Sequence, residues 1–190
     1  KSLPLHLITS ELLFDKLKKY DKQVKVITII REPISRTVSS FFQNLDFYKD
    51  SIEDSKLALN ESKAVNLIEK KISNSVLDIN KWLNSEIKEN FNIDIYNKKF
   101  PKEKYVIFKN QKVYLLLLKM EDLDDVFTNS TKDFFDIKEG IILENHNVGE
   151  KKYYSRQYQK LKNKINIDET ILKKIKSSKY YTHFYANIDK

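Results

Sequence analysis

The segment VITIIREPISRTVSSFFQN, Val26 to Asn44, runs an apolar stretch straight into Arg31. Pro33 follows two residues later, then Ser35 and Arg36, and Ser39 comes eight residues after Arg31. A guanidinium is a planar fork of N–H donors that meets a phosphate with two parallel hydrogen bonds. A helix starting near Pro33 carries Ser35 and Arg36 in its first turn and Ser39 in its second. Its N-terminus adds free backbone N–H groups and the positive end of the helix dipole. Arg31 and a serine hydroxyl on such a junction can close on one dianionic group. A second reading stands beside it: Arg31 pairs with Glu32 or a loop carboxylate, and Ser39 faces core or solvent.

Either reading needs a strand that ends at Arg31. Val24–Ile30 is apolar at nearly every position, as in a strand covered on both faces of a parallel sheet. The helix from Pro33 then has an apolar face of Val38, Phe41, Phe42 and Leu45. Upstream, LPLHLI (3–8) predicts a short strand, and Ser10 caps a helix carrying Leu12, Leu13, Leu17 and Tyr20. Residues 50–72 predict one or two surface helices. Val76, Ile79, Trp82, Leu83, Ile87 and Phe91 predict a helix over 75–91, whose company puts Trp82 in the core rather than stacked on an adenine or sugar. A short strand (105–108), a tight turn near Asn110 and a long core strand (112–118) come next. Glu121–Phe135 reads as helical, which places Glu121 and Asp122 at a helix N-terminus rather than in catalysis. Gly140 and Gly149, the two glycines, fall in 138–150, the expected mobile loop. Helices at 151–164 and 168–177 and the aromatic tail YYTHFY close the chain. Strands alternating with helices predict an α/β sheet with parallel core strands and a ligand beyond their carboxyl ends, where Arg31 stands.

The chain of 190 residues suits one domain, 1–190. It has no cysteine, which excludes disulfides and thiolate sites and fits a reducing, cytoplasmic setting. No apolar run approaches the roughly 20 residues that a transmembrane helix needs. The net charge of +8 favours anionic partners. The basic residues are nevertheless dispersed, and no aromatic-basic nucleic-acid motif stands out, so no specific nucleic-acid partner is expected. No His/Asp/Glu cluster has the spacing of metal ligands.

The run IIREPISRTVSSFF resembles the 3′-phosphate-binding segment of sulfotransferases that use 3′-phosphoadenosine 5′-phosphosulfate. Arg31, Pro33 and Ser39 match that segment at its spacing, and VYLLLLKMEDL is similar to the later family strand ending in Glu-Asp-Leu. NKWLNSEIKENFNIDIYNKKF, LLLLKMEDLDD, NHNVGEKKYYSRQY and YYTHFY, in that order, resemble a bacterial group of capsular polysaccharide synthesis proteins related to sulfotransferases. The resemblance runs from about Ile27 to Tyr185. It implies a P-loop-like three-layer sandwich with a mainly parallel central sheet flanked by helices. It also implies sulfuryl transfer from that nucleotide donor, without a metal, to a hydroxyl or amine of a glycan such as a capsular or other surface polysaccharide.

On the same resemblance, Arg31 and Ser39 hold the 3′-phosphate, and a late basic segment with Lys151, Lys152 and Arg156 closes over it; the other reading of that segment is a solvated helix start. The catalytic base is His6, with Glu11 as runner-up; against these stand a packed core histidine and a helix-terminal carboxylate. His146 reads as a loop residue and His183 as packed. The family's N-terminal loop for the 5′-phosphosulfate has no counterpart: no Gly-rich or Lys-Ser/Thr turn follows a strand. The expectation is that this strand and loop lie upstream of Lys1 and are missing from the chain. The alternative is a non-catalytic anion- or glycan-binding domain that keeps the fold.

Overall fold

The computed structural model describes residues 9, 12–13, 15–17, 19–53, 59–75, 78, 81–144 and 152–186. Three strands form one mixed sheet: β1 (Val24–Ile30), β2 (Tyr105–Lys109) and β3 (Val113–Lys119), in the spatial order β1-β3-β2. β1 runs parallel to β3 with Ile30 opposite Lys119, and β2 returns antiparallel to β3. The two parallel strands therefore end level, and Arg31 and Met120 leave the sheet side by side.

Asn110 makes the β2–β3 turn by its own side chain. Its Oδ1 accepts from the N–H groups of Lys112 and Val113 at 2.9 and 2.7 Å, and its Nδ2 donates to the carbonyl of Phe91 at 2.7 Å. This is the Asx geometry that makes asparagine a turn residue.

Helices pack around the sheet, among them α1 (Pro33–Gln43), α2 (Glu61–Ser75), α3 (Leu123–Phe135), α4 (Ser155–Lys162), α5 (Glu169–Lys176) and α6 (Lys179–Phe184). On one side of the sheet, Val38, Phe41 and Phe42 of α1 mesh with Ala64, Ile68 and Ile72 of α2, all buried. Fully burying side chains of this size is worth roughly 1.5–3 kcal/mol each. Residues 50–72 thus supply a core helix where a surface helix was expected, because three of its positions fall on one stripe against α1. On the other side, Leu123, Val126 and Phe134 of α3 cover Leu116 and Leu118.

Two features depart from the expected sandwich. The described sheet has three strands and one of its two pairings is antiparallel, so it is small and mixed rather than mainly parallel. β3 is the strand covered on both faces, with Leu115–Leu118 fully buried. β1 is an edge strand that leaves Ile27 and Ile29 about 40% exposed, since α3 packs on β2 and β3. The expected strand over 3–8 lies outside the described residues, as do Val76 and Ile79 of the expected 75–91 helix. Helical structure there resumes at Trp82, passes through a π-type turn at Asn84–Lys88 and stops at Asn92, which has φ of 52°. The start of the expected mobile loop is tied to α3: the N–H of Ile141 donates to Thr131 Oγ1 at 2.9 Å, and Gly140 lies against the carbonyl of Thr128. Residues 145–150 are outside the described set. No helix among the described residues is long and apolar enough to cross a membrane.

Candidate functional site

The junction between β1 and α1 is built around Glu32. Its carboxylate accepts from the N–H groups of Ile34 and Ser35 at 3.1 and 2.7 Å, capping α1, while Pro33 occupies the first turn and needs no donor partner. The N–H of Glu32 itself donates to Glu121 Oε1 at 2.8 Å. Glu32 therefore does not neutralise Arg31, and it fills the helix N-terminus that the phosphate reading had offered to a ligand. Among the described residues, the guanidinium of Arg31 and the hydroxyl of Ser39 have no bonding partner. An anion at this junction is met by side chains, not by backbone N–H groups.

Those side chains face a cleft of about 840 Å³ at the carboxyl ends of β1 and β3. Arg31, Ser39 and Met120 form one wall; Lys152, Arg156 and Lys160 line the other, on α4 and just before it. Tyr154 and Tyr158 stand between them, their rings 5.7 and 5.0 Å from Phe42. Among the described residues, four cationic side chains line this cleft and no carboxylate does. Lys160 is held by Glu61, so Arg31, Lys152 and Arg156 carry the accessible positive charge. The size matches a small-molecule site, which commonly encloses about 300–1,000 Å³.

The floor beneath Arg31 comes from the aromatic tail. The Tyr180 hydroxyl donates to the Arg31 carbonyl at 2.9 Å, and the Tyr185 hydroxyl donates to Glu121 Oε2 at 3.3 Å. Burial pushes both phenols far above their ordinary range, so both remain protonated donors. Lys119, the last residue of β3, is 6% exposed beneath the rings of Phe100 and Tyr185, with Asp122 at 3.8 Å. Burial lowers its pKa, with Asp122 and Glu121 opposing the shift.

Of the predicted site residues, Arg31, Ser39 and Lys152 line one cleft, and Arg156 joins them. His6, Glu11, Lys151 and His146 lie outside the described residues. His183 is half-buried between Tyr96 and Phe184, as a packed histidine should be. Glu121 stands where it was expected, in the 3-10 turn Met120–Asp122 that leads into α3, and its carboxylate also accepts from the N–H of Glu32. Its place immediately after a core strand was the available signal, since that end of β3 adjoins the end of β1. Tyr180 and Tyr185 belong to the YYTHFY run that carried part of the resemblance, but nothing in the sequence pointed to their backbone and carboxylate partners. Among the described residues, no three His, Asp or Glu side chains gather as metal ligands.

A protein family described as "Putative capsular polysaccharide synthesis protein" matches residues 54–186, well over half of the chain. The chain belongs to this family. Within the matched span of the capsular polysaccharide synthesis family lie the cationic wall of the cleft, the tyrosines beside it and the aromatic floor; Arg31 and Ser39 precede it. No curated protein and no solved structure matches the chain.

Proposed function

We propose that this capsular polysaccharide synthesis family member is a sulfotransferase that takes 3′-phosphoadenosine 5′-phosphosulfate as donor and a glycan as acceptor. The observation that carries the reading is the convergence of Arg31, Ser39, Lys152 and Arg156 on one cleft whose described lining holds no carboxylate. The donor set fits the group: an unpaired guanidinium and a free hydroxyl suit the 3′-phosphate, and Tyr154 and Tyr158 offer aromatic rings to the base.

In the proposed step, the acceptor oxygen or nitrogen forms a bond to sulfur as the bond from sulfur to the 5′-phosphate oxygen breaks. The electron pair leaves with the 3′,5′-bisphosphate, and the acceptor proton passes to a base, for which His6 and then Glu11 are the proposed residues. Cationic side chains stabilise the charge that grows on the leaving phosphate.

One observation favours a second reading, a binding domain without transfer activity. The N-terminus of α1 is capped by Glu32, and the sequence offers no Gly-rich or Lys-Ser/Thr turn for the 5′-phosphosulfate. Calorimetric titration with 3′-phosphoadenosine 5′-phosphate separates the possibilities. The expected result is binding that Arg31→Ala weakens by one to two orders of magnitude, the weight of about 1.5–3 kcal/mol for hydrogen bonds to a charged group. No binding by the unaltered chain sinks the donor reading. Binding with no sulfated glycan formed from the donor favours the second one.

A further inference from the structure

Arg36 has no part in the cleft. It is exposed on α1, and its guanidinium carbon lies 5.5 Å from the ring centre of Trp82, which is itself half-buried against the core. Arg36 and Trp82, with Ile29, Arg31, Met120 and Tyr180, line a recess of about 370 Å³. Arg31 and Met120 also line the larger cleft, so the two spaces share a wall.

A guanidinium over an indole is held by cation–π attraction, which uses none of its N–H donors, and among the described residues Arg36 makes no hydrogen bond or ion pair through them. Asp78 lines an adjoining notch of about 100 Å³ together with Arg36 but forms no ion pair with it. The same recess is lined by exposed apolar groups, Ile29 at 43% and Met120 at 48%. A cationic fork sharing a recess with apolar side chains suits a ligand with an apolar face and an anionic edge. A sugar ring bearing a carboxylate has that form: its C–H face is apolar, and its carboxylate matches the fork with two hydrogen bonds.

The geometry points to this recess as the site for a uronic acid unit of the glycan, with Arg36 taking the carboxylate and Trp82 bracing Arg36. As the acceptor subsite it rests on the donor reading above; as an acidic-sugar site it does not.

Trp82 is the chain's one tryptophan, so its fluorescence reports on the recess directly. The test titrates the full chain with an oligouronate and with a neutral oligosaccharide of equal length, and runs calorimetry with the 3′,5′-bisphosphate on the same variants. The oligouronate is expected to shift the emission, Arg36→Ala to weaken it at least tenfold, and Arg36→Lys to restore part of the loss. Lys138→Ala removes the same charge beyond the C-terminus of α3, which lies at the opposite end of β1 beside Lys25, and leaves the affinity within twofold. Equal binding of the neutral sugar, an unaffected Arg36→Ala, or tighter binding of a phosphorylated oligosaccharide overturns the inference. Oligouronate binding through Arg36 in a chain that does not bind the bisphosphate upholds the acidic-sugar site and removes the donor reading alone.

Discussion

The hydroxyl of Tyr180 and the carbonyl oxygen of Arg31 meet at 2.9 Å across 149 positions of sequence. That bond places α6 directly beneath the residue on which the anion site depends. Arg31 leaves β1 with its backbone anchored while its guanidinium stays unpaired. Tyr180 is 3% exposed and its ring also contacts Phe184 and Tyr185. Tyr180→Phe keeps those ring contacts and removes the hydroxyl, and with it the bond to the Arg31 carbonyl and the interaction with the Tyr185 hydroxyl. The expected loss is about 1–3 kcal/mol, the cost of stranding a buried carbonyl, read from the urea midpoint. A few-fold fall in affinity for 3′-phosphoadenosine 5′-phosphate should accompany it. Unchanged stability would mean that water takes over the carbonyl.

Glu32 sets stability against anion binding. Glu32→Ala removes the cap of α1, at a cost of about 1 kcal/mol, and exposes the N–H groups of Ile34 and Ser35. With a carboxylate gone and a helix terminus opened, the bisphosphate should bind about two- to fivefold more tightly, from a dipole contribution of 0.3–1 kcal/mol. Denaturation and calorimetry on the one variant test both signs. Weaker binding would show that Glu32 matters for placing Arg31.

Gly140 admits no side chain. A Cβ there would lie 1.8 Å from the carbonyl oxygen of Thr128, a backbone atom that cannot swing aside. Gly140→Ala should therefore destabilise the fold by about 3 kcal/mol, at the upper end of overpacking costs. Thermal unfolding measures it.

His183 makes stability depend on pH in a defined direction. Burial first, and the nearby Lys179 charge second, hold its pKa below the ordinary histidine value. On acidification the unfolded chain therefore takes up its proton first. Stability contributed by the neutral imidazole is complete above about pH 6.5 and is lost as pH falls toward the folded pKa, where the decline levels off. His183→Gln should flatten this slope between pH 7 and 5 in urea denaturation. An unchanged slope would assign it to another group.

The elements that position the site could be read from local pattern: the strand ending at Ile30, the helix from Pro33 and the hairpin turning at Asn110. Each is fixed by residues close in sequence. Sheet order was harder, because an apolar strand such as VKVITII looks the same at an edge as in the middle; only the placement of α3 leaves Ile27 and Ile29 uncovered. Arg31 and Ser39 were named by type and spacing and Lys152 by resemblance, and the three line one cleft. Glu121 and Tyr180 were not, because their partners are backbone groups 89 and 149 positions away. A backbone N–H or carbonyl has no signature in the sequence.

The cationic lining of the cleft also bears on folding. Arg31 is separated by more than a hundred residues from Lys152 and Arg156, and only the finished tertiary structure brings their like charges together. Bringing like charges together costs electrostatic energy in the folded state. On the proposed donor reading, the nucleotide would therefore also act as a folding ligand: at a hundredfold excess over its Kd it would add about 2.7 kcal/mol to stability. Part of that gain would fall on α4, whose Arg156 and preceding Lys152 line the cleft.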